Sequence, residues 1–188
     1  GVREGMQEKP LRRIFIAVNL PEKVKKEIYE KAGRVALENS SKGSLKVVEK
    51  ENLHITLKFV GYVNDEELQE IIENAEKIDF NGFEIVFGNA GSFNARVLWV
   101  GVEHGKERLE ALAKIVQGVS EKGDNRFSPH VTIARNKTMP TGKAREIVEK
   151  INSGKINIKM DVERFEVMES VLGRNGPEYK ILHSRKFA

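Results

Sequence analysis

The sequence predicts a mixed α and β fold: two lobes related by internal duplication, packed about a pseudo-twofold axis with a groove between them. Three observations predict it. The order strand, helix, strand, helix, strand recurs in each half of the 188 residues. A short alternating pattern with a histidine and a threonine two apart occurs once per half, in "NLHITLKF" (52–59) and "SPHVTIAR" (128–135). No flexible linker divides the halves, so the lobes, about 10–93 and 94–188 with a seam near 89–96, share one interface and do not form independent domains.

"RRIFIAVNL" (12–20) is a strand, and Pro21 suits the first turn of the helix after it, whose apolar stripe is Val24, Ile28, Ala32 and Val35. The polar "NSSKGS" precedes "LKVVEKENLHITLKFVG", two extended pieces ending at Gly61. Asn64 and Glu67 form a capping box, and Leu68, Ile71, Ile72, Ala75 and Ile78 recur at helical spacing behind it. "GFEIVFGNAGSF" (82–93) is a strand joined through an Asn94-Ala95 turn to "RVLWVGV" (96–102). Leu109, Leu112, Ala113 and Val116 mark the next helix, "FSPHVTIARNK" (127–137) the second motif strand, and Ala144, Ile147, Val148 and Ile151 a helix from about Thr141. Two long strand-like segments, "KINIKMDVERFEVMESVL" and "EYKILHSRKFA", close the chain around the turn "GRNGP" and have no counterpart in the first half.

The length allows a sizeable core, and with 39% hydrophobic residues no run approaches the roughly 18 apolar residues of a membrane span. The opening "GVREGMQEKP" lacks the apolar stretch of a secretion signal, which makes the cytoplasm the expected location and Met6 a candidate start. The lack of cysteine excludes disulfides, thiol nucleophiles and thiolate metal sites. A net charge of +4, from 32 basic and 28 acidic residues that interleave, fits either a polyanionic partner such as RNA or the surface ion-pair networks of a heat-adapted protein.

Alternation along a strand sets His54 and Thr56 on one face with Ile55 and Leu57 on the other; His130 and Thr132 repeat this against Val131 and Ile133. A pseudo-twofold arrangement brings the two motifs together across the groove. An imidazole titrates near pH 6.5, so one histidine can act as base while the other acts as acid, which suits hydrolysis of a phosphodiester without metal. The threonine hydroxyls can donate to the non-bridging phosphate oxygens. Arg135 adds a positive charge, although strict alternation turns it away from His130 unless the strand twists or ends. Phe15, sharing a face with Arg13 and Ala17, can stack on a base or pack in the core, and Lys58 can line the groove or be solvated at the strand end. His104, in a turn before a helix, and His183, in the last strand, lack a matching threonine and read as surface or structural residues. Neither motif carries further metal ligands at zinc spacing, no G-x-S-x-G elbow occurs, and Gly-rich nucleotide loops are absent.

"RIFIAVNLP", "NLHITLKFVG" and "SPHVTIAR", in that order and at that separation, resemble the two-histidine phosphoesterase superfamily, and most of all its RNA 2′,3′-cyclic phosphodiesterase branch, also called 2′-5′ RNA ligases. The resemblance spans nearly the whole chain. It implies a bilobal α+β fold with antiparallel sheets flanking a central cleft and helices outside. It also implies that His54 is the proton donor and His130 the proton acceptor in opening a 2′,3′-cyclic phosphate to a 2′-phosphomonoester. Thr56 and Thr132 would hold the phosphate, and Arg135 occupies the arginine position of this branch. The implied substrate is an RNA end bearing a cyclic phosphate, such as a tRNA half, handled by a monomer without cofactor, with reversible 2′-5′ ligation to a 5′-hydroxyl end as a related activity. A non-catalytic RNA-binding module, and the same chemistry on small cyclic nucleotides or ADP-ribose cyclic phosphate, are the competing readings.

Overall fold

Residues 10–188 are described in the computed structural model, and the candidate start Met6 lies outside them. The first strand, β1 (Arg12–Asn19), is buried from Ile14 to Val18 because both its faces are covered. One face meets the main core, and the other carries Phe15 and Ala17 in a separate small cluster with Met168, against which Tyr179 packs.

The helix after Pro21 is built in three parts: α1 (Glu22–Ile28), a π-helical turn over Tyr29–Gly33, and α2 (Arg34–Glu38). Its buried apolar side chains are Val24, Ile28, Ala32 and Ala36, an uninterrupted spacing of four. A regular α-helix would let such a stripe drift around its axis, and the widened turn keeps it facing the core. Ala36 therefore replaces the expected Val35, which packs only at the core margin.

The remaining elements are β2 (Leu45–Val47), β3 (His54–Val63), α3 (Asp65–Glu76), β4 (Phe83–Phe93), β5 (Val97–His104), α4 (Lys106–Val116), β6 (His130–Asn136), α5 (Thr141–Ser153), β7 (Ile158–Val162), β8 (Arg164–Gly173) and β9 (Gly176–Lys186). The predicted capping box is present: Asn64 Oδ1 accepts from Glu67 N at 2.8 Å, and Glu67 Oε1 accepts from Asn64 N at 3.1 Å. Asn94 and Ala95 both take positive φ, 51° and 56°, in the tight β4–β5 turn whose twist matches that of the flanking strands. The motif strand β3 passes through Gly61, where the sequence pattern predicts its end and where φ is 96°, and continues to Val63.

The strands form one curled antiparallel sheet in the order β7-β4-β5-β6-β3-β1-β8-β9, with β2 added to β6. At its centre β3 and β6 share a single register pair, Ile55 with Val131, and then diverge. Beyond the pair, β2 takes up the free edge of β6, and Asp124 bridges to Phe59 on the free edge of β3. These equivalent substitutions are the pseudo-twofold axis made visible, and the divergence opens the cleft.

The strand order mixes the two sequence halves. β4 lies with β5, β6 and β7, whereas β8 and β9 lie beside β1 and β3. The helices cross over too: α1 packs on β7, α2 on α5 and α5 on β4, while α4 packs on β3 and α3 on β9. The predicted long strand 155–172 breaks at Glu163, because β7 pairs with β4 and β8 with β1 on opposite halves of the sheet. A phase slip marks the break, with Ile158, Met160 and Val162 buried before it and Phe165 and Val167 after it. His183 fits the structural reading, since it pairs with Glu76 at the end of α3.

Candidate active site

Two β-bulges build the site from the motif strands. Thr56 pairs with Ala17 and Lys58 with Ile16, which leaves Leu57 unmatched; Thr132 pairs with Trp99 and Ala134 with Leu98, which leaves Ile133 unmatched. An extra residue reverses the alternation beyond it. Accordingly Leu57 and Lys58 are both buried, as are Ile133 and Ala134, and Phe59 and Arg135 return to the face of the motif residues. Strict alternation, which turned Arg135 away, fails here because the strand is bulged: its guanidinium adds to the burial that lowers the pKa of His54 and of His130, and at Tyr179 it opposes the burial that raises the phenol pKa.

Lys58 is neither in the groove nor solvated. It is 1% exposed, and its Nζ donates to Asn125 Oδ1 at 2.7 Å, with burial lowering its pKa. Phe15 is buried in the floor and still touches the site, with its ring 5.2 Å from that of His54 and 6.3 Å from that of Phe59.

Both histidines are oriented in the same way. His54 Nδ1 lies 2.6 Å from the carbonyl of Asn52, and His130 Nδ1 lies 2.6 Å from the carbonyl of Ser128. A carbonyl only accepts, so Nδ1 carries the hydrogen and Nε2 is the nitrogen left for chemistry. In His54 that nitrogen lies 2.9 Å from Thr56 Oγ1, which donates to it when the ring is neutral. Burial is the main cause that lowers the His54 pKa to about 4; the Asn52 carbonyl partly opposes this, and positive charge at His130, Arg135 and Lys25 adds to it. Burial also lowers His130, with Arg135 adding and the Ser128 carbonyl opposing. Both rings are neutral at pH 7 in the free protein, and a proton on one disfavours a proton on the other.

Each histidine has an aromatic wall. Around His54 stand Phe15 and Tyr179, the latter 5.3 Å away and perpendicular at 89°. Around His130 stand Phe93, 5.1 Å away at 89°, and Trp99, 6.4 Å away. Sequence reasoning missed Tyr179, Phe93 and Trp99. Tyr179 reaches the site only because β9 pairs with β8, a partnership with no local signal, whereas Phe93 and Trp99 could have been found by folding the predicted hairpin onto the second motif strand.

The sequence pattern of the 2′-5′ RNA ligase superfamily matches residues 24–174. The chain belongs to the 2′-5′ RNA ligase superfamily. Among its relatives is an RNA 2′,3′-cyclic phosphodiesterase from Archaeoglobus fulgidus, 33% identical over 90% of this chain and 97% of that protein. One of the same name from Thermotoga maritima is 33% identical over 93% and 95%. The fold is that of E. coli LigT in its crystal structure with ATP, with a TM-score of 0.74, 23% identity and coverage of 95% of this chain and 99% of that one. A phosphoesterase crystal structure matches with a TM-score of 0.76 at 24% identity, over 96% and 99%.

In this member of the 2′-5′ RNA ligase superfamily the described residues include no cluster of three or more metal-ligating histidines or carboxylates. The groups that act on one another here are the two imidazoles, the Thr56 hydroxyl and the Arg135 guanidinium, with Thr132 two residues beyond His130 on β6. Together they can bind an anion and move protons on either side of it. No helix among the described residues is long and apolar enough to cross a membrane.

Proposed function

We propose that the protein is an RNA 2′,3′-cyclic phosphodiesterase that opens a terminal cyclic phosphate to a 2′-phosphomonoester. The observation that carries this is the matched pair of histidines, each with Nδ1 tied to a backbone carbonyl, on two strands joined at Ile55–Val131. Its relatives carrying that name at 33% identity support the same reading.

The cyclic phosphate sits between the rings, with Thr56, Thr132 and Arg135 donating to its non-bridging oxygens. His130, neutral, takes a proton from water as the water oxygen bonds to phosphorus. The P–O3′ bond breaks on the opposite side, and O3′ takes a proton from His54. Each transfer contributes about 10²–10⁴-fold in rate. His54 is neutral in the free protein, so the bound phosphate anion supplies the negative charge that lets it hold its proton. A 5′-hydroxyl in place of water turns the same displacement into formation of a 2′-5′ linkage. Phe15, buried beneath His54, supports that ring from the core side, the packing use of the two the sequence allows.

Incubation of the purified protein with an oligonucleotide ending in a 2′,3′-cyclic phosphate, in the presence of EDTA, tests this. The expected product is the 2′-phosphate, with turnover lost in His54→Ala and in His130→Ala. A 3′-phosphate product, or activity abolished by EDTA, contradicts the reading. RNA binding by a parent protein that never turns over identifies a binding module instead, and a rate far higher on mononucleotides than on oligonucleotides reassigns the substrate.

A further inference from the structure

Each histidine is oriented by a carbonyl two residues earlier, but the loops that supply the two carbonyls are fastened differently. The loop before His54 is fastened by backbone. In it β2 pairs Lys46 with Arg135 and Val47 with Ala134, and Val48 N then donates to the Ile133 carbonyl at 2.9 Å.

In the other lobe that ladder shrinks to one rung. Ile16 pairs with Lys58 as Leu98 pairs with Ala134, and Phe15 with Phe59 as Val97 with Arg135, so Lys58 and Phe59 are the counterparts of Ala134 and Arg135. The bridge from Asp124 to Phe59 therefore matches the pair Lys46 and Arg135, and Asp124 N donates to the Phe59 carbonyl at 3.1 Å. Gly123, with a φ of 96°, permits this approach, because a Cβ there would lie 1.9 Å from the same carbonyl oxygen. Beyond the bridge the chain leaves the strand edge: Arg126 N, the counterpart of Val48 N, donates to Asp124 Oδ1 at 2.9 Å.

Between them falls Asn125, the counterpart of Val47, and its partner is a side chain. Lys58 Nζ donates to Asn125 Oδ1 at 2.7 Å from the position at which Ala134 forms a backbone pair. At 1% exposure the ammonium cannot turn to solvent, so letting the loop go would strand a buried charge. The Asn125 carbonyl also accepts from Gln117 Nε2 at 2.6 Å, but that bond is exposed and water competes for it. Only Arg126 and Phe127 separate Asn125 from Ser128, whose carbonyl orients His130.

We infer that Lys58 is a positioning residue for His130: its buried ammonium replaces a missing rung of the sheet and holds the 123–128 loop, so that the Ser128 carbonyl keeps the ring hydrogen on Nδ1. This rests on the proposed role of His130 as the base. Lys58 acts from the core side of β3, away from the phosphate. A His130 ring released from Ser128 can carry its hydrogen on either nitrogen, and with the hydrogen on Nε2 it has no lone pair there to take a proton from water.

Three variants test the tether: Lys58→Met keeps the stem without the charge, Asn125→Ala deletes the acceptor, and Asn125→Asp keeps one. In the first two, kcat for adenosine 2′,3′-cyclic phosphate should fall roughly tenfold, the size of one net hydrogen bond, with KM nearly unchanged. Nitrogen NMR of the imidazoles near pH 7 should show His130 passing from the Nδ1–H form to a mixture of the two forms while His54 keeps its own. Asn125→Asp should retain the spectrum and rate of the parent. Lys58→Met combined with Asn125→Ala should be no slower than the slower single variant, because both remove one contact.

All measurements are made well below the thermal midpoint of each variant, and Asn125→Ala decides alone if Lys58→Met does not fold. Parent kcat in both variants, or a fall in kcat with the His130 spectrum unchanged, overturns the tether. Equal change in the spectra of both histidines shows general loosening and overturns it too. A parent protein that opens no cyclic phosphate removes the proposed function, and the spectra then decide by themselves whether Lys58 orients His130.

Discussion

The pH dependence of turnover is the sharpest consequence of how the two rings are buried. With a pKa of about 4, His54 carries a proton at pH 7 in roughly one free molecule in a thousand. His130 is also lowered from the ordinary imidazole value, so the free protein titrates both histidines on the acid side of pH 6.5. The dependence of kcat/KM on pH reports groups of the free protein, and that of kcat reports the bound complex. For adenosine 2′,3′-cyclic phosphate, kcat/KM should follow a bell that lies wholly acid of pH 6.5, with the His54 limb near pH 4. The kcat profile should be displaced toward higher pH, because the bound anion favours the imidazolium. Arg135→Gln removes a positive charge that lowers both rings, so both limbs of kcat/KM should move to higher pH as the rate falls. The assay is initial-rate kinetics from pH 3.5 to 9 at constant ionic strength, on the order of ten values. An alkaline limb of kcat/KM above pH 7, or movement toward lower pH in Arg135→Gln, would refute the assignment of the histidines as the titrating pair.

His54→Ala and His130→Ala should each lower kcat by about 10²–10⁴-fold, with binding of a non-hydrolysable analogue, measured by calorimetry, changed far less. Asn125→Ala removes the acceptor of the buried Lys58 ammonium and should cost about 1–3 kcal/mol in urea denaturation. Lys58→Met, which removes the charge and keeps the stem, should cost less, and the opposite order would show that the ammonium is solvated. Lys155 follows α5 with a φ of 50° and is exposed, so Lys155→Gly should raise the thermal midpoint by relieving about 1 kcal/mol of backbone strain; a lower midpoint would place a needed contact on the lysine side chain.

The elements most legible in the sequence are those whose signal is local. The capping box at Asn64 and Glu67 depends on residues three apart, and the Asn94-Ala95 turn on two neighbours; both are present. The apolar stripes of α3, α4 and α5 needed only their own periodicity. The stripe of the first helix was misjudged by one residue, since periodicity assumes a regular helix and the chain inserts a π-helical turn. Alternation places Arg135 and Lys58 on the wrong faces in the same way: a single unmatched residue, Leu57 or Ile133, exchanges the two faces of the residues that follow it, in β3 as far as a second unmatched residue, Val60. Nothing in the composition of either strand announces that residue.

By itself the sequence determined that this protein has two equivalent motif strands and a histidine with a threonine on one face of each, because alternation is a property of a strand before it has neighbours. Only the tertiary structure decided which charges and rings surround those histidines. The bulges that return Arg135 and Phe59 to the cleft, the pairing of β9 that brings in Tyr179, and the pairing of β5 with β6 that sets Trp99 beside His130 all depend on register between segments distant in the chain. Register is set by the packing of the whole sheet, and no single strand carries that information.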